Sequence, residues 1–165
     1  MPYSARVDSI IVFVANYFFI LSILIVVAFW LRASSRVKIN VAWQLVIGGV
    51  LAYGLAAIAG HLYYDTRPFV SQHIHPLIAH APDNGFPSDH ALLTAFLGFT
   101  VLVYSRRIGI ILLLIALLVG ASRVAAHIHN SIDIVGSFVI AALAVVIVQG
   151  ISKLWVEDRL RQRTK

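Results

Sequence analysis

The stretch Ser122–Asp133, SRVAAHIHNSID, joins two apolar segments and carries an arginine, two histidines and an aspartate. Two shorter stretches have the same character. His61–Pro68, HLYYDTRP, ends one apolar segment, and Pro87–His90, PSDH, begins another. Ionisable side chains at membrane depth are costly, so their presence indicates a functional site. We therefore expect these three stretches to mark the ends of membrane segments and to carry the residues of the functional site.

The composition is typical of a membrane protein. Of the 165 residues, 60% are hydrophobic and only 12% are charged, and the mean hydropathy is +0.89. A soluble domain of this length could not bury so much apolar surface. The chain has no cysteine, which excludes disulfides and thiolate metal sites. Its net charge of +6 indicates contact with anionic lipid rather than nucleic acid, because no basic run is interleaved with aromatic residues.

Five apolar segments predict an all-α, polytopic bundle of about five transmembrane helices. The length suits one domain, residues 1–165, with a motif-bearing core at about 41–150 and a basic tail at 153–165. The third segment is the shortest. The predicted spans are Ser9–Leu31, Val41–Tyr64, His90–Tyr104, Ile108–Val124 and Ile132–Lys153.

The basic residues predict the orientation of these helices. Ten of the 13 lysines and arginines fall on one side of a five-helix bundle, and the positive-inside bias makes that side cytoplasmic. The three polar stretches then share the outer face, with the N-terminus outside and the C-terminus in the cytoplasm. The ten residues are Arg32, Arg36, Lys38, Arg106, Arg107, Lys153, Arg159, Arg161, Arg163 and Lys165.

The first two stretches carry groups that suit a phosphate. Pro68 disfavours helical geometry in the residue before it, so we expect a helix to end at Arg67, whose guanidinium fork matches phosphate oxygens. Ser88 is a favourable N-cap for the third helix, and the free N–H groups of a first helical turn bind anions. His90 would lie beside such an anion.

In the third stretch, His129 and Asp133 are four residues apart, a spacing that places them on one face of a helix. A carboxylate bonded to one imidazole nitrogen fixes the tautomer and leaves the other nitrogen free to attack. Each stretch alone also has an ordinary explanation: an interfacial arginine, a capped helix, or a structural His–Asp pair. The three together favour a site that grips a phosphate and breaks its ester or anhydride bond.

The three motifs resemble those of the type-2 phosphatidic acid phosphatase superfamily of membrane lipid phosphatases, which shares its phosphate site with vanadium haloperoxidases. Its signature is Lys-x6-Arg-Pro, Pro-Ser-Gly-His and Ser-Arg-x5-His-x3-Asp. The third element is complete in Ser122–Asp133, and the second has Asp89 in the place of glycine. The first keeps Arg67 and Pro68 but has Gly60 where the lysine belongs.

The resemblance implies a role for each matching residue. His129 would be the nucleophile and form a phosphohistidine, and Asp133 would orient and polarise it. His90 would protonate the leaving oxygen and then act as base on the water. The non-bridging oxygens would be held by Arg67, Ser88 and Arg123, with backbone N–H groups near Asp89. No metal and no other cofactor is required.

The two departures from the signature affect the phosphate pocket. The missing lysine removes a positive charge. His61, beside Gly60, is a candidate accessory residue if protonated, although it points about 100° away on a helix. Asp89 adds a carboxylate beside an anionic substrate, and we expect its side chain to cap the helix or turn away while its backbone still donates.

The connection between the first two motifs resembles the bacitracin-resistance branch of undecaprenyl-diphosphate phosphatases. The shared features are the RPF opening, the FPSDH ending, and His75 and His80, which are candidate accessory residues. The branch implies a hydrolase in the bacterial plasma membrane, with its site facing outward. It would convert undecaprenyl diphosphate to undecaprenyl phosphate and so recycle the peptidoglycan lipid carrier. The alternative substrates are phosphatidylglycerophosphate, phosphatidate and a lipid A phosphate.

Two readings from other classes are weaker. Zinc could be held by histidines of the loops, either His73, His75 and His80 or His127 and His129, but His-x-His on a loop is weak evidence. A transporter would usually show an inverted repeat, and none is visible. An inactive lipid-binding relative would be expected to lose one of the two motif histidines, and both are present.

Overall fold

The protein is described by a computed structural model that covers the backbone of residues 2–163 and the side chains of residues 5–153. Throughout the described backbone the regular elements are helices, without a β-strand. They are α1 (Pro2–Arg32), α2 (Ser35–Trp43), a π-helical turn (Gln44–Gly48), α3 (Gly49–Leu62), α4 (Pro68–Ser71), α5 (Asp89–Leu102), α6 (Arg106–Ala125) and α7 (Ser131–Arg163). The π-helical turn links α2 and α3 into one continuous segment.

The predicted membrane helix bundle is confirmed. Within the described range four helical segments are long and apolar enough to span a bilayer: Ala5–Arg32, Ser35–Leu62, Arg106–Ala125 and Ser131–Lys153. The third predicted span corresponds to α5, which has only 14 residues. At 1.5 Å per residue it is about 21 Å long, shorter than the roughly 30 Å hydrocarbon core. The loops that carry the first and third motifs meet beside its first turn.

Helix α5 is the core of the bundle. It packs against α6, α7 and α1, and its side chains are buried on most sides, from Leu92 to Val101. A helix that is apolar all round is stable only when neighbours cover it, as here. The start of α6 packs closely against the end of α5. A Cβ on Gly109 would lie 2.3 Å from the Cα of Leu102, so this close approach requires glycine. Large apolar side chains such as Val50 and Val146 face outward, as lipid contact requires.

The helix directions separate the polar residues into two groups at opposite ends of the bundle. At the motif-bearing end, α3 ends at Leu62 and α6 ends at Ala125, while Ser88 precedes α5 and Ser131 begins α7. The other end holds the α1–α2 and α5–α6 connections with their arginines. The first motif departs from one expectation, because α3 ends at Leu62 rather than at Arg67. Arg67 instead lies in extended backbone immediately before α4.

Candidate active site

The first and third motifs converge on one imidazole. Nη1 of Arg67 and Nη2 of Arg123 each lie 3.5 Å from Nε2 of His129. These three residues come from the α3–α4 connection, the last turn of α6 and the α6–α7 turn. All three are buried, with exposed fractions of 5%, 5% and 3%. The structure therefore places two guanidinium groups around one ring nitrogen in a largely enclosed space.

The opposite ring nitrogen of His129 fixes its tautomer. Nδ1 lies 2.9 Å from the carbonyl oxygen of Gly85 and 3.1 Å from Oδ2 of Asp133. Both partners are acceptors, and a carbonyl oxygen cannot donate, so Nδ1 must carry the proton in the neutral ring. Nε2 then presents its lone pair to the two guanidinium groups. This is the tautomer that nucleophilic attack by Nε2 requires.

Asp133 reaches His129 in a different way from the one expected. The two residues do not share a helix face, because His129 precedes α7 and Asp133 lies in its first turn. Oδ2 of Asp133 also accepts a hydrogen bond of 2.8 Å from the N–H of Asn130. Such a bond back to the residue before a helix is typical of a capping box. The helix start therefore positions the carboxylate for the imidazole.

Arg67 is anchored by three hydrogen bonds that orient its guanidinium. Nε donates to Asp83 at 2.8 Å, Nη1 to the carbonyl of Ile128 at 2.7 Å, and Nη2 to the carbonyl of Asn84 at 3.1 Å. The hydrogen bond from Arg67 lowers the pKa of Asp83, which keeps that carboxylate charged. A guanidinium has five N–H groups, so two remain for a ligand beside His129.

Two further donors at the site have no protein partner. Oγ of Ser88 and Nε of Arg123 are buried, and no described residue hydrogen-bonds either atom. Ser88 begins α5 by backbone geometry, but its side chain makes no capping bond, which corrects the expected N-cap interaction. A buried unsatisfied donor costs about 1–3 kcal/mol, so such a group in a functional site suggests a ligand acceptor. Both atoms are suited to a phosphate oxygen.

His90 lies in the first turn of α5 and joins the same cluster. It is close enough to Arg123 for the guanidinium charge to act on it. Its ring packs edge-on against Phe19 of α1, with centroids 5.2 Å apart. The neighbouring Asp89 is exposed, and it is close enough for its charge to act on Arg123. The N–H groups at this helix start remain available to an anion.

Electrostatics keep His129 neutral. Burial lowers the pKa of His129 below its ordinary value, the hydrogen bond to Asp133 opposes that shift, and the charges of Arg123 and Arg67 add to it. A neutral imidazole is the form that has a free lone pair. The pocket is therefore positively charged through its guanidinium groups while its candidate nucleophile stays unprotonated.

The other histidines have different positions. The ring of His80 lies 6.3 Å from that of His129, and its Nδ1 is 3.8 Å from Asp83, so His80 is part of the site. The histidines outside the cluster are exposed: His61 in the last turn of α3, and His73, His75 and His127 in loops. Among the described side chains, no group of three or more His, Asp or Glu could hold a metal ion.

Most of the chain matches one known family. The sequence pattern of the PAP2 superfamily matches residues 41–156. The chain belongs to the PAP2 superfamily. It is therefore a multi-pass membrane phosphatase and a hydrolase. The matched range includes all the motif residues that surround His129.

Curated relatives agree with this assignment. The chain is 33% identical over 141 residues to the undecaprenyl-diphosphatase BcrC of Bacillus subtilis (strain 168), covering 86% of this chain and 72% of that protein. It is 28% identical over 132 residues to the putative undecaprenyl-diphosphatase YbjG of Escherichia coli (strain K12), covering 78% and 65%. The resemblance to the undecaprenyl-diphosphate phosphatases is therefore confirmed at the level of sequence.

Solved structures share the fold. LpxE of Aquifex aeolicus has a TM-score of 0.69 at 20% identity, covering 86% of this chain and 84% of that one. A PAP2-type phosphatidylglycerolphosphate phosphatase of Bacillus subtilis has a TM-score of 0.62 at 21% identity, covering 93% and 78%. At 20% and 21% identity, the likeness concerns the arrangement of the helices alone.

The missing lysine of the PAP2 signature has a structural explanation. A Cβ on Gly60 would lie 2.8 Å from the carbonyl oxygen of Phe86, and 3.8 Å from Nδ2 of Asn84. Asn84 donates to the carbonyl of Gly60 at 2.8 Å. The loop before Ser88 therefore packs directly on the α3 backbone, and a side chain at position 60 would require it to shift. His61 is exposed in the last turn of α3.

Sequence motifs did not identify the residues that hold this PAP2 site together. Asn84 bonds the first motif through the N–H of Asp65 and the carbonyl of Tyr63. Gly85 supplies a carbonyl to His129, and a Cβ there would lie 3.0 Å from Oδ2 of Asp133. Asn-Gly before a motif was the only available signal, since that dipeptide marks turns.

Proposed function

We propose that this PAP2 phosphatase hydrolyses undecaprenyl diphosphate to undecaprenyl phosphate and phosphate through a phosphohistidine on His129. The observation that carries the chemistry is the pairing of a fixed Nε2 lone pair with guanidinium groups 3.5 Å away on Arg67 and Arg123. A phosphate between them would have its non-bridging oxygens on cations and its phosphorus facing the nucleophile.

In the first step, Nε2 of His129 attacks the terminal phosphorus. The bond from phosphorus to the bridging oxygen breaks, and its electron pair stays on undecaprenyl phosphate, which takes a proton from His90. Arg67, Arg123 and Ser88 stabilise the charge on the transferred group. Asp133 and the Gly85 carbonyl hold the imidazolium that forms, because both accept from Nδ1.

In the second step, water attacks the phosphohistidine. His90 takes a proton from the water, the new P–O bond forms, and the P–N bond breaks with its electron pair returning to Nε2. Phosphate leaves, and His129 is again neutral. His90 thus acts first as acid and then as base, which is the usual requirement when one residue serves both halves of a double displacement.

An apolar groove beside the site supports a lipid substrate. The groove has a volume of about 460 Å³ and lies between α3 and α7. Phe86 lines it and directly follows Gly85, whose carbonyl contacts the nucleophile. Its lining residues are Ala59, Tyr63, Phe86, Ile132, Val135, Gly136, Val139 and Ile140. A hydrocarbon chain in this groove would place its phosphate end next to His129.

The diphosphate and the outer membrane face are supported by sequence. The 33% identical relative is an undecaprenyl-diphosphatase, and the YbjG relative carries the same description as putative. The basic connections lie at the end opposite the motifs, and the positive-inside bias then directs the site outward from the bacterial plasma membrane. Undecaprenyl phosphate released there would return to peptidoglycan synthesis as lipid carrier.

A competition assay tests the substrate. Purified protein in detergent is given undecaprenyl diphosphate, phosphatidylglycerophosphate and phosphatidate together, and the relative kcat/KM values are obtained from the rates at which the three dephosphorylated lipids appear. We expect the diphosphate to be preferred at least about tenfold, a difference of about 1.4 kcal/mol in transition-state binding. A preference for either monoester would refute the proposed substrate and leave the phosphatase chemistry in place.

A further inference from the structure

A second polar site lies at the end of the bundle away from His129. It is a cavity of about 310 Å³, within the roughly 300–1,000 Å³ range of ligand pockets. The cavity is formed where α2, the π-helical turn, the end of α5 and the C-terminal part of α7 meet. Its lining residues are Asn40, Trp43, Gln44, Tyr104, Gln149, Ser152 and Lys153.

The distance from the active site makes this a separate site. Gln44 precedes Leu62 by 18 residues in one continuous helical segment, which is about 27 Å. Gln149 follows Ser131 by the same number of residues in α7, and Tyr104 follows the far end of α5. Three helices that begin or end at the active site therefore place these side chains at the opposite end.

Among residues 5–153, whose side chains the structure describes, the lining is rich in donors and contains no carboxylate. Lys153 carries the positive charge, and the amides of Gln44 and Asn40 provide further N–H groups, whereas both N–H groups of Gln149 are already donated to Gln44 and Tyr104. Hydroxyl and indole groups complete the set. Such a combination suits an oxyanion, because one cation supplies the charge and neutral donors supply direction.

The side-chain amide of Gln44 has a donor without an acceptor. Gln44 is 1% exposed, and its Oε1 accepts from Nε2 of Gln149 at 3.0 Å. Gln149 also bonds the hydroxyl of Tyr104 at 3.1 Å. Nε2 of Gln44 is buried, and no described residue accepts from it. A polar group without a partner inside an apolar helix bundle is costly, and it marks a functional site by default.

The backbone at Gln44 points in the same direction. Gln44 begins the π-helical turn, and π-helical turns inside α-helices are frequent at functional sites. Phe96 of α5 and Gly48 pack against this turn, since a Cβ on Gly48 would lie 2.8 Å from Nε2 of Gln44 and 3.1 Å from the Phe96 ring. Gly48 and Phe96 therefore leave the Gln44 side chain little freedom to move.

We propose that this cavity is a second anion site, which binds a phosphate group through Lys153, the amide of Gln44 and the hydroxyl of Tyr104. The phosphate belongs either to an anionic phospholipid at that membrane face or to a free phosphate ion. Neither the phosphatase reaction nor the family motifs use these residues. The site is independent of the substrate proposed above.

Binding is measured in full-length protein that carries Arg123→Gln, because this change weakens phosphate binding at the active site. Phosphatidylglycerol is titrated into the detergent-solubilised protein, and the shift of the thermal unfolding midpoint gives an apparent Kd. Lys153→Gln should weaken that Kd about tenfold, the usual effect of losing one charged hydrogen bond. Lys153→Arg should retain the binding.

Two further variants separate the cavity from general surface charge. Arg107→Gln removes a positive charge at the same end of the bundle but outside the cavity, and it should leave the Kd unchanged. Gln44→Met keeps the side-chain length without the amide, and it should weaken binding. If Arg107→Gln weakens binding as much as Lys153→Gln, or if Lys153→Gln and Gln44→Met both have no effect, the proposed site does not exist.

A parallel titration with inorganic phosphate identifies the source of the ligand. A shift that depends on Lys153 with phosphatidylglycerol alone assigns the site to a lipid headgroup. A shift with both ligands assigns it to the phosphate group in general. A shift with neither ligand overturns the proposal. Failure of the competition assay for undecaprenyl diphosphate would not affect any of these outcomes.

Discussion

The two ends of the bundle both bury polar side chains, but they support them differently. At the motif-bearing end, Arg67 is charged and buried, and loop atoms of Asp83, Ile128 and Asn84 accept its N–H groups. At the other end, Gln44 is neutral, and among the described side chains its one hydrogen-bond partner is Gln149 of α7. The buried charge of Arg67 is therefore accommodated where irregular backbone supplies carbonyls, because a regular helix uses its own carbonyls internally.

The largest expected effect tests the charged end at its centre. His129→Gln keeps a polar side chain of similar size but removes the nucleophilic nitrogen. Activity on undecaprenyl diphosphate should fall by about 10⁴-fold or more, because the chemical step has no substitute nucleophile. Initial rates and an unfolding midpoint are measured together. A folded variant that keeps more than a tenth of the activity would show that another group attacks.

The next effect compares one arginine at each end. Arg123→Gln should lower kcat by about 10²–10³-fold, the range for loss of one preorganised donor to a developing oxyanion. The matched control is Arg107→Gln, which removes the same charge about one helix length away and should leave kcat unchanged. Equal losses in the two variants would mean that overall charge, rather than the geometry around His129, governs the rate.

His90 should have an effect that depends on the leaving group. A phosphate leaving group has a pKa near 6 and needs little protonation, whereas an alkoxide needs much more. His90→Ala should therefore lower the rate of the first step by about 10²–10⁴-fold with a lipid phosphomonoester. The same substitution should lower the rate with the diphosphate by a smaller factor. Single-turnover rates on both substrates provide the measurement. Identical losses would argue against His90 as the acid for the leaving group.

The acidic limb of the pH profile tests the electrostatics at His129. Its pKa is lowered mainly by burial, so Nε2 keeps its lone pair until the pH falls through that lowered value. The acidic limb of kcat/KM that arises from His129 should lie below about pH 6.5, the ordinary histidine value. Rates in a constant-ionic-strength buffer series locate it. A limb clearly above that value would contradict a neutral, buried nucleophile.

The smallest effect concerns the position of the missing lysine. Gly60→Ala places a Cβ 2.8 Å from the Phe86 carbonyl, so the loop before Ser88 must shift. We expect a loss of about 1–3 kcal/mol in stability, as for other overpacked sites, with a smaller change in activity than for Arg123→Gln. Gly54→Ala is the control, because a Cβ there meets nothing within 4 Å. Equal stability of the two variants would show that the loop adjusts freely.

The sequence was sufficient for the parts of the molecule that depend on pattern. Apolar segments predicted the helix bundle, and the four helices long enough to span a bilayer differ from the predicted spans mainly at their ends. The orientation predicted from the basic connections remains a prediction. The motif residues Arg67, Arg123 and His129 were selected by their residue types, and the structure brings them together. Their roles remain predictions.

The sequence was insufficient where backbone geometry decides. The four-residue spacing of His129 and Asp133 predicted a shared helix face, but His129 precedes α7 and a capping interaction makes the contact instead. The carbonyl of Gly85 has no side-chain signal, so no motif could identify it. The Gln44 cluster was missed because glutamine in an apolar segment carries no charge, and its partner Gln149 is 105 residues away.

The central claim is a covalent phosphate on His129, and trapping it is the most direct test. Protein with His90→Ala is mixed with undecaprenyl diphosphate labelled in the terminal phosphate and quenched in alkali, which preserves phosphohistidine. We predict one labelled phosphate per active site, located on His129, stable in alkali and lost in acid. The label should be absent from a double variant that carries His129→Gln together with His90→Ala. Phosphate release without any labelled protein, or label on another residue, would contradict the account.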